Sequence, residues 1–163
     1  MFPATSAAYQ AIAAPGYPFL RITIDENPAY ADLLFALFYS SKPGATFVLQ
    51  ALCGIDPADI DEPLIGRVGE PLRNAMSWIA QVDPSLMPLV VLAGANVNQR
   101  CQRTGFTPLY TAVSRRDLDL ARRLLRLGAT AALAADCVGS QSLPIERASI
   151  RGDTEMVSLL LTA

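Results

Sequence analysis

With no histidine among its 163 residues, the chain has neither a Cys–His nor a Ser–His nucleophile pair. It also lacks the one side chain whose ordinary titration lies close to neutrality. Its three cysteines, Cys53, Cys101 and Cys137, form no CxxC pair, which removes the common zinc sites, and no cofactor is expected. Carboxylates alone remain for catalysis. Their densest run is Ile55-Asp56-Pro57-Ala58-Asp59-Ile60-Asp61-Glu62, where Asp56, Asp59, Asp61 and Glu62 are the candidates. The aspartate spacings of three and two do not fit a calcium loop, and the central glycine such a loop requires is missing. Turn formation and helix capping are the simpler roles for Asp56, Pro57 and Asp61.

The bulk numbers bound the setting. A length of 163 residues fits one domain with a continuous core, and 52 % hydrophobic against 17 % charged residues argues against disorder. No apolar run approaches the ~20 residues of a membrane helix. Met1-Phe2-Pro3-Ala4-Thr5-Ser6 has no basic cluster leading into an apolar core, so a signal peptide is not read and the expected compartment is the cytoplasm. Charge is uneven: residues 1–83 hold nine acids and four bases, residues 84–163 six acids and nine bases. The basic half is too weakly charged, and too poor in interleaved aromatics, for a nucleic-acid footprint. Twelve arginines against one lysine, Lys42, hint at a GC-rich bacterial genome.

The elements that would position any functional residue repeat. Gly94-Ala95-Asn96-Val97-Asn98 and Gly128-Ala129-Thr130 begin 34 residues apart, each after an apolar helical run, Leu89–Leu92 and Leu124–Leu127. Between them Thr107 is placed to cap a helix, with Pro108 at its first position, where a missing N–H costs nothing. Asp117 is the expected N-cap of a second helix, in which Leu118, Ala121, Leu124 and Leu125 recur at helical spacing. Gly128 ends that helix in the left-handed conformation. Neither helix can bury its apolar face alone, so neighbouring units must supply the other wall.

Thr104-Gly105-Phe106-Thr107-Pro108-Leu109-Tyr110-Thr111-Ala112 resembles the ankyrin-repeat motif G-x-T-P-L-H-x-A, with Tyr110 in the histidine slot. Upstream, Gly69-Glu70-Pro71-Leu72-Arg73-Asn74-Ala75 is a degenerate version, followed by about three extra residues before the helix that Asp83-Pro84 restarts. Downstream, Leu143-Pro144-Ile145-Glu146-Arg147-Ala148 carries Leu143 for the threonine and Glu146 for the histidine, with Pro144 36 residues after Pro108. Helices over Ala29–Ser41 and Ala45–Cys53, flanking Lys42-Pro43-Gly44, read as an N-terminal cap. The resemblance implies an all-α ankyrin-repeat array of about four helix-turn-helix units with degenerate ends. Its parts are a capping unit over 27–60 and repeats over about 65–98, 99–134 and 135–163, after an extension over 1–24 in which Phe19–Ile24 is a strand or lid. Cys101 and Cys137 then occupy equivalent hairpins of neighbouring units, too far apart for the ~7 Å a disulfide allows, so free thiols are expected.

Arrays of this family bind proteins with their hairpin tips and the exposed ends of their first helices. Carried over, the resemblance puts the tips at 98–104 and 131–141 and the helix ends at Ser77 and Trp78, Ser114 and Arg115, and Ile150 and Arg151. Trp78, Arg115 and Arg151 share one slot, and Arg100 and Arg103 extend it onto a finger. Tryptophan and arginine are the residue types most enriched at interface hot spots. The competing place for Trp78 is burial beneath the three-residue insertion. Arg122, Arg123 and Arg126 point outward from a second helix, opposite Leu124 and Leu125, on a face that ordinarily keeps an array soluble. The implied function is non-catalytic protein binding, narrowed to an immunity protein or chaperone for a bacterial effector. The alternatives are a secreted effector that mimics a host scaffold, and a carboxylate enzyme around Asp59.

Overall fold

The computed structural model describes residues 27–64, 74–101, 104–137 and 140–163. The extension over 1–24, the start of the degenerate repeat at 69–73, and Arg103 lie outside the described residues. The chain forms two compact units, one ending at Ala95 and one running from Asn96 to Ala163.

In the first unit, α1 (Pro28–Phe38) and α2 (Ala45–Cys53) form a helical hairpin. Asn27 starts α1: its Oδ1 accepts the Tyr30 N–H at 3.1 Å, and Pro28 fills the first position. The turn into α2 passes through Gly44, at φ +89°. A Cβ there would stand 3.2 Å from the Val82 side chain, so glycine is required both for its backbone and for space. After α2, Asp56 Oδ1 accepts the Ala58 N–H at 2.9 Å and caps a single 3-10 turn over Pro57–Asp59. Asp56 and Pro57 thus take the capping roles expected of them.

The unit's second pair is α3 (Ala75–Val82), capped by Asn74, and α4 (Met87–Leu92). The extra residues between them form a 3-10 turn over Pro84–Leu86, capped by Asp83. The pairing within this unit runs in reversed order: α1 packs on α4 and α2 on α3, so first helices meet second helices. Asn27 Nδ2 donates to the Ala93 carbonyl at 2.8 Å, tying the start of α1 to the end of α4. The physical reason lies in composition. The six residues of α4, Met-Pro-Leu-Val-Val-Leu, are apolar on every face, and α1, with Tyr30, Leu33, Leu34 and Leu37 buried, is the helix able to cover them.

The second unit carries two pairs in the expected order. α5 (Pro108–Arg115) and α6 (Leu118–Arg126) make the first, and α7 (Pro144–Ile150) and α8 (Thr154–Leu161) the second. First helix packs on first helix and second on second. Thr107 Oγ1 accepts the Tyr110 N–H at 3.1 Å and Asp117 Oδ1 the Leu120 N–H at 3.0 Å, the two caps the sequence predicts. Gly128 ends α6 at φ +95° with nothing near its missing side chain, so only backbone conformation selects it. Where the last repeat lacks the threonine, Glu146 Oε2 accepts the Leu143 N–H at 2.8 Å, a carboxylate reaching back over the helix start. Leu109, Ala112, Val113, Ala121, Leu124, Ala148 and Met156 form the core between the pairs. β1 (Ala135–Cys137) and β2 (Ser140–Ser142) form a short antiparallel hairpin between the repeats, with Ala135 opposite Ser142.

Candidate partner-binding surface

In the second unit, the loops between helix pairs are held by hydrogen bonds that span one repeat. Asn98 Oδ1 accepts the Thr130 N–H at 2.9 Å, after turning back on itself through Asn96 Oδ1, which accepts the Asn98 N–H at 2.9 Å. Arg100 Nη2 donates to the Ala134 carbonyl at 2.9 Å. On the helix side, Arg151 Nη1 donates to the Ser114 carbonyl at 2.5 Å, meeting an acceptor that the end of α5 leaves open. Arg116, left-handed at φ +59° just after α5, places its Nε 3.4 Å from Asp153 Oδ2, the carboxylate whose other oxygen caps α8. The tips and the first-helix ends are therefore preorganised, which lowers the ordering cost of any contact they make.

Beside this frame lies an open groove lined by Gln141 and Ser142 of β2 and by Ile145, Glu146, Ser149 and Ile150 of α7. Its wall is apolar at Ile145 and Ile150, and Ile150 is 78 % exposed, the most exposed large hydrophobic residue of the described chain. A hairpin strand on one side and a first helix on the other make a surface suited to an extended segment of another protein. Polar atoms from Gln141, Ser142, Glu146 and Ser149 can orient it.

The predicted contact residues fall differently. Arg100, Arg115, Ile150 and Arg151 are exposed in the second unit, and Ser114 is half-buried there. Arg100 and Arg151 also serve as repeat-spanning donors, a role that the repeat motif does not announce. Trp78 is buried, at 7 % exposure, instead of standing at a helix end in solvent. Its ring meets Phe47 of α2 with centroids 4.9 Å apart. The cause is the reversed hairpin: α2 covers α3, so Ala75, Met76, Ser77, Trp78 and Ile79 are buried in succession. Ile145, Glu146 and Ser149 are groove residues that sequence reasoning did not single out. Their signal was present all the same, since Ile145 and Ser149 lie four apart and thus on the face that carries the groove.

The reactive groups are quiet. Cys53 is buried and burial pushes its thiol up to about 11, so it stays protonated and unreactive at neutral pH. Beside it the buried Tyr30 hydroxyl donates to the Leu52 carbonyl at 2.6 Å. Its titration is pushed up by burial first, and by the neighbouring Cys53 and Asp56 second. No group of three His, Cys, Asp or Glu side chains suited to a metal ion occurs among the described residues, and no described helix is long and apolar enough to cross a membrane.

Helix pairs begun by a Thr-Pro or its variant, ended by a left-handed glycine, stacked first on first and joined by a hairpin define a helical-repeat protein. Residues 104–136 match the family model described as ankyrin repeat, the segment from Thr104 through α5 and α6 into β1. Over these residues the chain carries an ankyrin repeat. A comparison with curated proteins returned no match.

Proposed function

We propose that the chain is a non-catalytic binding module that holds one protein partner along the groove of its second unit, with Arg100, Ser114, Arg115, Ile150 and Arg151 in the contact. Ankyrin repeats are generic protein–protein interaction modules, and the matched repeat supplies that general role. The observation that carries the finer reading is Ile150. A large apolar side chain left 78 % exposed on the wall of a polar-rimmed groove has the character of an interface anchor. The test is capture of partners by the tagged protein in its native cells, identification by mass spectrometry, and titration of the recombinant partner. Covering an isoleucine contributes on the order of 1.5–3 kcal/mol, so Ile150→Ala is expected to weaken binding about tenfold. Unchanged affinity for both Ile150→Ala and Arg151→Ala overturns the placement.

Within this reading the narrower role is an immunity protein or chaperone for a bacterial effector, acting in the cytoplasm. The support is compositional: twelve arginines to one lysine fit a GC-rich bacterial genome. Growth of a deletion strain in competition with its parent tests it, and equal fitness counts against it.

A further inference from the structure

We propose that the arginine face of α6 is a second contact surface, taking an acidic segment of the protein partner. Residues 115–126 hold five arginines, Arg115, Arg116, Arg122, Arg123 and Arg126, all exposed, against two carboxylates. Those carboxylates leave Arg123 and Arg126 of α6 unmatched. Asp117 is occupied as the cap of α6, accepting the Leu120 N–H. Asp119, with its side chain 92 % exposed, stands 3.8 Å from Arg122. Arg116 is turned towards Asp153. Among the described residues no carboxylate pairs with Arg123 or Arg126, which lie three apart on one helix face.

A solubilising surface intersperses both signs and recurs from unit to unit. This one does neither. Stepping 36 residues from Asp117 to Asp153, the slots of Arg122, Arg123 and Arg126 hold Ser158, Leu159 and Thr162 in and just after α8. Stepping back 34 from Gly128 to Gly94, they hold Pro88, Leu89 and Leu92 in α4, where Leu92 is 57 % exposed. The charge belongs to one repeat and not to the repeat's design. All of it is arginine, the cation whose planar fork meets carboxylates in two parallel hydrogen bonds. No aromatic side chain lies among these arginines to stack a base, which favours a carboxylate-bearing protein segment over a nucleic acid.

The inference rests on the protein-binding reading but needs no captured partner to test, so the two can fail separately. The probe is a fluorescein-labelled peptide of repeating Glu-Glu-Leu, with Gln-Gln-Leu as its neutral counterpart, followed by anisotropy at low ionic strength. The acidic peptide is expected to bind and to weaken as salt is raised. Arg123→Gln with Arg126→Gln should weaken it about tenfold, because each substitution removes a charge-assisted hydrogen-bond donor. Ser158→Glu with Thr162→Glu changes net charge by the same two units at the last repeat's counterparts of Arg122 and Arg126, and should change binding less than about twofold. Thermal melts confirm that both variants are folded, and Arg123→Lys with Arg126→Lys, which keeps the charge but loses the planar fork, should bind between wild type and the glutamine variant. Equal weakening by the two charge variants would reduce the effect to net charge and overturn the site. So would tighter binding of a short DNA duplex of equal charge, or salt-sensitive self-association that Arg123→Gln with Arg126→Gln abolishes, which would make a second copy the occupant.

Discussion

Two glycines ten residues apart bound α2, and the same substitution at each should move stability in opposite directions. Gly44, before the helix, sits at φ +89°, and a Cβ there would meet Val82 Cγ2 at 3.2 Å. Gly54, after it, sits at φ −93° and ψ −2°, and its Cβ would meet only the Ala51 and Gln50 carbonyls, at 3.6 and 3.8 Å. Alanine at Gly54 keeps an allowed backbone and ordinary contacts, so it should stabilise by about 0.5–1 kcal/mol through the less flexible unfolded chain. Alanine at Gly44 gains the same entropy but adopts a left-handed conformation costing about 1–2 kcal/mol, and must also displace Val82 by a few tenths of an ångström. A net loss of about 1–2 kcal/mol follows. The lone tryptophan, Trp78, buried against Phe47 in the same unit, gives a fluorescence signal for this unit's unfolding. With a urea dependence of roughly 1–3 kcal/mol per molar, the two variants should unfold on either side of wild type, roughly 1 M apart. If both shift the midpoint the same way by the same amount, the distinction drawn from φ and the Val82 contact is wrong.

Thr107→Ala removes a buried helix cap and should cost about 1–2 kcal/mol by far-UV circular dichroism, with Thr107→Ser recovering most of it. Cys53 should resist alkylation in the native protein at neutral pH and react readily in denaturant. Its folded titration lies above the ordinary value of 9.0, so the stability it contributes is full below about pH 9 and falls as pH rises towards about 11, by about 1.4 kcal/mol per unit. Cys53→Ala should flatten the first part of that decline, and an unchanged profile would mean the thiol does not titrate with folding.

The second unit was legible because its signals are local. Thr107 and Asp117 cap by side chains that accept from an N–H three residues on, and Pro108 and Pro144 are tolerated only where a helix begins. Gly128 is selected by its own φ. Each of these is decided within four residues, so a sequence read in short windows finds them. The substitution of Glu146 into the histidine slot reads as degeneracy in the motif, yet its side chain satisfies the Leu143 N–H at the helix start, the other half of a capping box whose hydroxyl half Leu143 cannot supply.

What escaped was pairing, which no short window contains. The hairpin of α1 and α2 has the spacing of a capping unit in either orientation. Which of its helices meets α3 depends on the relative apolar coverage of helices more than thirty residues apart. Trp78 shows the consequence. Its position in the repeat argues for solvent and its neighbours Ala75, Met76 and Ile79 argue for burial, and the motif alone gives the first answer. The contradiction was visible in α3 itself, since a helix of Ala-Met-Ser-Trp-Ile-Ala-Gln-Val leaves only Ser77 and Gln81 as polar residues. A helix with so little polar surface must be covered on a second side, and α2 is the element with Phe47 placed to cover it. The converse holds for α6: with arginines filling the side opposite Ala121 and Leu124, it is not a face that another apolar helix can cover, which is why the partner segment proposed for it is an acidic one.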